Sequence, residues 1–395
     1  MHLNFLLGAM VMATAATAQT VVGKAYGFAT GVTGGGSAKA VTPTSASELA
    51  KLLADDVPRT IVINKTWDFT GSKATGSGCD RKSCSAKNGG QLYLGTLSCG
   101  GSDNVAVSSI KYDKAGLEPL IVGSNKSIIG SGAGVLNGKG LQIKKNAKNV
   151  IIQGFKIRNL NPGIVWGGDA IDLKGGNDGV WIDHMKISLV GRMFIVTHYD
   201  GSRVTVSNSE FDGQTTTSAS CNGDHYWTMM FYGKGDRVTL DRNYYHDVSG
   251  RAPKLGQDGT TGTFQATNNY FKNMQGHAFD IYSGATALIE GNVFETVKNP
   301  FTSSSSNKGT VYNVPDSAAA SACSSALGRA CEVNKASGSG ALLSLKTTSA
   351  LSTLAKSKSF LVKPVAASQV SSIISSSVGP TRLKARSIRG RWVRY

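Results

Sequence analysis

Short β-prone runs, each turning through a polar pair and ending on an apolar or aromatic residue, recur along the chain from about residue 120. NVIIQGFKI begins at Asn149, and the same shape returns as GVWIDHMKI at Gly179, RVTVSNSEF at Arg203, RVTLDRNYY at Arg237, TFQATNNYF at Thr263 and TALIEGNVF at Thr286. The starts lie 30, 24, 34, 26 and 23 residues apart. Repeats of that period with no helical pattern between them predict a β-solenoid, in which each coil covers the apolar face of the next. A β-sandwich also has many short strands, but it does not account for self-similarity in register. The expected fold class is all-β, a right-handed parallel β-helix of about eight coils. Asn243, Asn269 and Asn292 share one repeat position and should stack into an asparagine ladder at the ~4.8 Å strand spacing; Ser209 interrupts it. Phe211, Tyr245 and Phe271, which end their repeats, should stack inside.

A solenoid needs its ends covered. Ser45 and Glu48 form a capping-box spacing ahead of the apolar Leu49, Leu52 and Leu53, which predicts an N-terminal capping helix. After Phe301 the repeat fades, and that region is expected to cover the other end. Residues 1–18 read as a secretory signal: apolar Leu3 to Met12, then Ala16-Thr17-Ala18 before Gln19. The apolar run is too short to span a bilayer, so a secreted protein with no membrane partner is expected. The domain reading is 1–18 signal, 19–331 β-helix, and 332–395 a Ser-rich, partly ordered segment ending in a basic tail.

Charge adds less than its total suggests. The net +17 invites a polyanion partner. After Glu332, however, there are eleven Lys and Arg and no acid, which leaves +6 for the rest. Six of the eleven lie in RLKARSIRGRWVRY at the end, a composition suited to adhesion on an acidic matrix rather than to reading nucleic acid. Six cysteines suit an oxidising compartment and allow fifteen pairings; Cys323 and Cys331 are a natural local staple. Asn64 and Asn125 begin glycosylation sequons. In SGRAPK, Arg251 and Lys254 flank Pro253. Such a turn is most simply a solvated basic loop.

Six blocks in order change that reading. GFATGVTGGG, WGGDAI at Trp166, VWIDH at Val180, CNGDHYW at Cys221, SGRAPK at Ser249 and NNYF…GHAF from Asn268 resemble the pectin lyases of the pectin/pectate lyase superfamily, over residues 21 to about 331. The resemblance implies a parallel β-helix and β-elimination on homogalacturonan, a pectin polysaccharide. A base takes the C5 proton, cations hold the charge developing on the carboxyl group, and the C4 oxygen leaves. By resemblance Arg251 is the base and Lys254 its neighbouring cation. A guanidinium ordinarily stays protonated, with a pKa above ~12, so this role needs nearby cations; otherwise Arg251 stabilises the enolate-like intermediate. Arg192 falls where pectate lyases place the first aspartate of a Ca²⁺ cluster, paired to Asp169, so no Ca²⁺ requirement is expected. Trp166 and Trp227 match cleft positions; Trp67, Trp181 and Trp392 do not. Family pairing gives Cys79–Cys99, Cys84–Cys221 and Cys323–Cys331.

Some roles stay open. His225, with Tyr226 and Trp227 beside it, reads equally as a substrate contact or a packed histidine. Asp183 and His184 read as groups satisfying backbone, and His277 as structural. The loop between the clustered cysteines has Tyr93 and no Trp, so the cleft should favour partly de-esterified polymer. A monomeric endo-acting pectin lyase is the main expectation. The alternatives are a pectate lyase on low-ester polygalacturonate and a non-catalytic pectin-binding solenoid. Hydrolysis would need paired carboxylates that Asp169, Asp172 and Asp183 do not supply.

Overall fold

The computed structural model describes residues 19–383 apart from residue 131. The expected signal, Trp392 and most of the basic tail lie outside the described residues. Strands rich in Val, Ile and Thr stack in parallel, and every repeat read from the sequence falls in register. Val150, Val180, Val204, Val238, Phe264 and Ala287 are successive partners in one ten-stranded sheet. The other two faces join into a fifteen-stranded sheet through the long strand Tyr270–Ile281. The fold is a parallel β-helix. Its first face has ten strands, more than the eight coils expected, because Ala40–Val41 and Arg59–Ile63 lead into it ahead of the visible repeat.

Alternation of side chains along each strand puts one set inside. Phe211, Tyr245, Phe271 and Phe294 stack there with ring centroids 5.1, 4.8 and 4.8 Å apart. The asparagine ladder is present and longer than expected. Each amide donates to the next along Asn243, Asn269, Asn292, Asn334 and Asn313. Ser209 ends it through its backbone N–H, which donates to Asn243 Oδ1.

The helix Ala46–Ala54 covers the first coil, with Leu49 and Leu53 fully buried in the main core and Leu52 half-buried. Ser45 Oγ accepts the Glu48 N–H, but the Glu48 carboxylate turns outward to Thr44 instead of returning to Ser45. The far end is covered by the helix Thr348–Ala355, packed with Leu288, Tyr312 and the Cys323–Cys331 disulfide. No described helix is long and apolar enough to cross a membrane.

One expectation is corrected. Residues 332–383 are not a separate, partly ordered segment. The strand Lys335–Ser337 pairs with Val293–Phe301, and the chain then runs back along the solenoid. Phe360 stacks on Phe28, the Val362 and Val365 amides donate to Gln265 and Asn268, and the helix Val370–Ser377 packs on Tyr270. The Ser-rich composition hid a strap whose few apolar residues each find a slot. Asn64 is exposed, whereas Asn125 donates to the Asp56 carbonyl and accepts from Asn149, so only the first sequon presents a free amide.

Candidate active site

Strands Ile171–Leu173, Ile195–Thr197, Met229–Phe231 and Lys254–Leu255 lie side by side on one face. Register aligns Asp172, Val196, Met230, Lys254 and Asp280 in a single row. Asp169, Arg192, Trp227 and Arg251 each precede their strand by two or three residues. The turns entering four consecutive coils therefore carry the predicted site, and the stacked backbone fixes their spacing.

Arg192 is buried and donates through Nη1 to both Asp169 oxygens, at 3.3 and 3.1 Å. The Met193 N–H also donates to Asp169, at 2.8 Å. Burial pushes the Asp169 carboxyl up, and Arg192 and that amide pull it back. The guanidinium lies 4.1 Å from the Trp166 ring centroid, whose indole N–H is held by Ser98 Oγ. Trp166 itself has φ 68°, a conformation uncommon for a bulky residue. The Asp169–Arg192 pair is thus as expected, with Trp166 serving as its platform.

Arg251 and Lys254 are arranged differently. Among the described residues neither has a carboxylate within 4.0 Å. The Arg251 guanidinium sits 4.8 Å from the Trp227 centroid and 5.6 Å from that of Tyr226, with Nη1 3.7 Å from Met230 Sδ. Its Nε is buried without a partner. The backbone is pinned, with φ 48°, its N–H donating to His277 Nε2 and its carbonyl accepting from Met229. Lys254 lies with Nζ 3.9 Å from the Tyr282 centroid, and burial, then the Arg251 charge, lower its pKa. Two cations resting on aromatic faces, with Asp280 and Asp258 acting on Lys254 only from beyond ion-pair distance, form a site for an anion or a developing anion. His277 holds the Arg251 backbone by accepting its N–H.

His225 is corrected from its candidate role as a substrate contact. It is 3% exposed, stacks on Phe194 at 4.4 Å, and its Nε2 lies 2.9 Å from the Arg192 carbonyl and 3.1 Å from that of Trp227. Two acceptors at one nitrogen require Nε2–H, so His225 clamps the turns carrying Arg192 and Trp227. Burial lowers its pKa to about 4. A depressed histidine makes stability rise with pH, because the unfolded state binds more protons between the two pKa values. The wild type should therefore lose ~3 kcal/mol more unfolding free energy than His225→Gln between pH 6.5 and about 4, measured by denaturant titration of both. Parallel profiles for the two proteins across that window would contradict the clamp, since Asp236, raised by burial to about 7, shifts both alike.

Tyr226 and Trp227 are half-buried, Tyr226 packing so close to Gly250 that an added Cβ would lie 2.5 Å from its ring. The three expected disulfides are formed, and Cys84–Cys221 ties the loop behind Trp227 to the four-stranded side sheet. Gln91 of that wall accepts from the Trp227 indole, and Tyr93 packs behind Trp166 and Trp227 rather than lining the cleft. Trp181 is buried under the N-terminal segment and Trp67 in the core. Asp183 takes side-chain rather than backbone partners: Ser207, Asn208, Gln153 and His184.

Sequence reading missed a second row. Lys174, His198 and Tyr232 follow the in-register residues Leu173, Thr197 and Phe231. Lys174 Nζ is 2.6 Å from Asp172 Oδ2, His198 Nε2 is 3.1 Å from Asp172 Oδ1, and the Tyr232 hydroxyl bonds His198 Nδ1. Burial pushes the Tyr232 phenol up to about 12, so it donates to Nδ1 and leaves Nε2–H toward Asp172. The repeat register was the signal that could have found them.

The sequence model of the family described as Pectate lyase matches residues 92–383, more than half of the chain. The chain belongs to the pectate lyase family. It is 51% identical over 338 residues to the probable pectin lyase F-1 of Aspergillus terreus, covering 83% of this chain and 86% of that one. With the probable pectin lyase F-2 of the same fungus it shares 44% over 387 residues, 96% of this chain and 78% of the other. Among solved structures, pectate lyase II of Xanthomonas campestris superposes with a TM-score of 0.55 at 16% identity, covering 91% and 98% of the two chains. A Bacillus subtilis pectate lyase gives 0.55 at 17%, covering 94% and 100%. At such identities the solved structures speak for the fold alone, the parallel β-helix of this family.

Proposed function

We propose that this family member is a secreted pectin lyase, cleaving methyl-esterified homogalacturonan by β-elimination. The observation that carries the reading is the pair Arg251 and Lys254, each on aromatic faces and in no ion pair among the described residues, with the Arg251 Nε buried and unpartnered. A galacturonosyl ester laid over them puts its carbonyl oxygen where enolate charge develops, and both cations stabilise it. Arg251 takes the C5 proton and, carrying it, joins Lys254 in holding the enolate charge. The C–H electrons form the C4–C5 double bond, and the C4–O bond breaks, its oxygen leaving with the pair and taking a proton from solvent. Trp227 and Tyr226 offer faces to the sugar rings.

The family implies Ca²⁺ for its pectate-cutting members, and the donor set here does not fit it. Ca²⁺ takes six to eight oxygen ligands. Asp169, Asp172 and His198 do bring ligand atoms within 4.8 Å of one another. The Arg192 guanidinium and the Lys174 ammonium already rest on those two carboxylates. A fixed guanidinium supplies the charge a metal would bring, which favours a neutral ester as the reacting group.

The test is ultraviolet absorbance of the unsaturated product on highly methylated pectin and on polygalacturonate. Faster elimination from the methylated polymer is expected; activity confined to polygalacturonate would refute the reading. No partner beyond the polysaccharide is proposed, and the enzyme should act as a monomer.

A further inference from the structure

Beside Arg192 the cleft opens into a hollow of about 270 Å³, bordered by Gln142, Trp166, Asp172 and Lys174. Lys174 is three strands away from Lys254 along the face, ~14 Å at the parallel-strand spacing. It therefore meets a different sugar unit from the one over Arg251. We propose that Lys174 reads a free, unesterified carboxylate on that unit, a reading that rests on the pectin lyase function above. Its ammonium has three donors, and the structure gives it one carboxylate oxygen, on Asp172. The other Asp172 oxygen faces His198 Nε2, which Tyr232 orients from the far side. Lys174 balances the Asp172 charge through Oδ2, Oδ1 faces His198 Nε2 without forming a hydrogen bond, and Lys174, its side chain 29% exposed, keeps two donors for a ligand in the hollow. A methyl ester offers no charge to such a group, whereas a carboxylate gains a charge-assisted hydrogen bond. The preferred polymer is then mixed: esterified at the reacting unit and free at the Lys174 unit.

Two measurements decide this. The first is kcat/KM of the wild type, Lys174→Met and Lys174→Arg on fully methylated and on randomly half-de-esterified pectin. Lys174→Met should lower the ratio of the half-de-esterified to the fully methylated value about tenfold, mostly through KM, and Lys174→Arg should restore most of it. The second is calorimetric titration with unesterified trigalacturonate, which should bind the wild type about tenfold more tightly than Lys174→Met at low salt. If both polymers suffer alike and trigalacturonate binding is unchanged, Lys174 is only the counter-ion of Asp172 and the proposal is overturned. If the wild type eliminates nothing from either polymer but still binds trigalacturonate through Lys174, the lyase reading fails while the carboxylate subsite stands.

Discussion

Arg251→Lys should abolish elimination, lowering kcat roughly a thousandfold on methylated pectin while leaving the fold intact. Lysine keeps the charge but not the planar fork of donors, nor the reach that places a guanidinium nitrogen over Trp227. The backbone does not depend on the side chain, since its N–H and carbonyl are held by His277 and Met229. Thermal unfolding should accordingly move little, because the strain of the positive φ at this position is borne by arginine and lysine alike. A Lys variant retaining a tenth of wild-type activity would mean that charge alone suffices, and that Lys254 or another group takes the proton.

Arg192→Ala should be costly twice over. It leaves Asp169 half-buried without its cation, a loss of ~3 kcal/mol in unfolding free energy, and it removes positive charge from the cleft. Turnover should fall at least a hundredfold even at temperatures where the variant is folded. Arg192→Asp differs in kind: with Asp169 and Asp172 it assembles three carboxylates and should make stability respond to added Ca²⁺. An Arg192→Ala variant with wild-type melting and turnover would show that the Asp169 pair is incidental to both.

The repeat gave the fold because successive coils solve the same problem with similar residues: β-branched strands throughout and, from Asn243 on, an asparagine at one turn. The strap after Glu332 was not legible, since Phe360, Val362 and Val365 bind slots along a surface that only the assembled solenoid creates. In the site, Arg192, Asp169, Arg251 and Lys254 were legible from motif blocks. The depth of His225 was not, because its neighbours Tyr226 and Trp227 stay half-buried while its own ring turns inward to two carbonyls. Lys174, His198 and Tyr232 carry no motif; only knowing which strand lies beside which brings them to Asp172.

The central claim is that Arg192 stands in place of a metal on an enzyme that cuts the neutral ester. The most direct measurement is the initial elimination rate on highly methylated pectin after exhaustive chelation, followed by added Ca²⁺. The chelated enzyme should keep its rate, and Ca²⁺ should add nothing. Loss of activity on chelation, with recovery on Ca²⁺, would contradict it and place this chain with the metal-dependent pectate lyases.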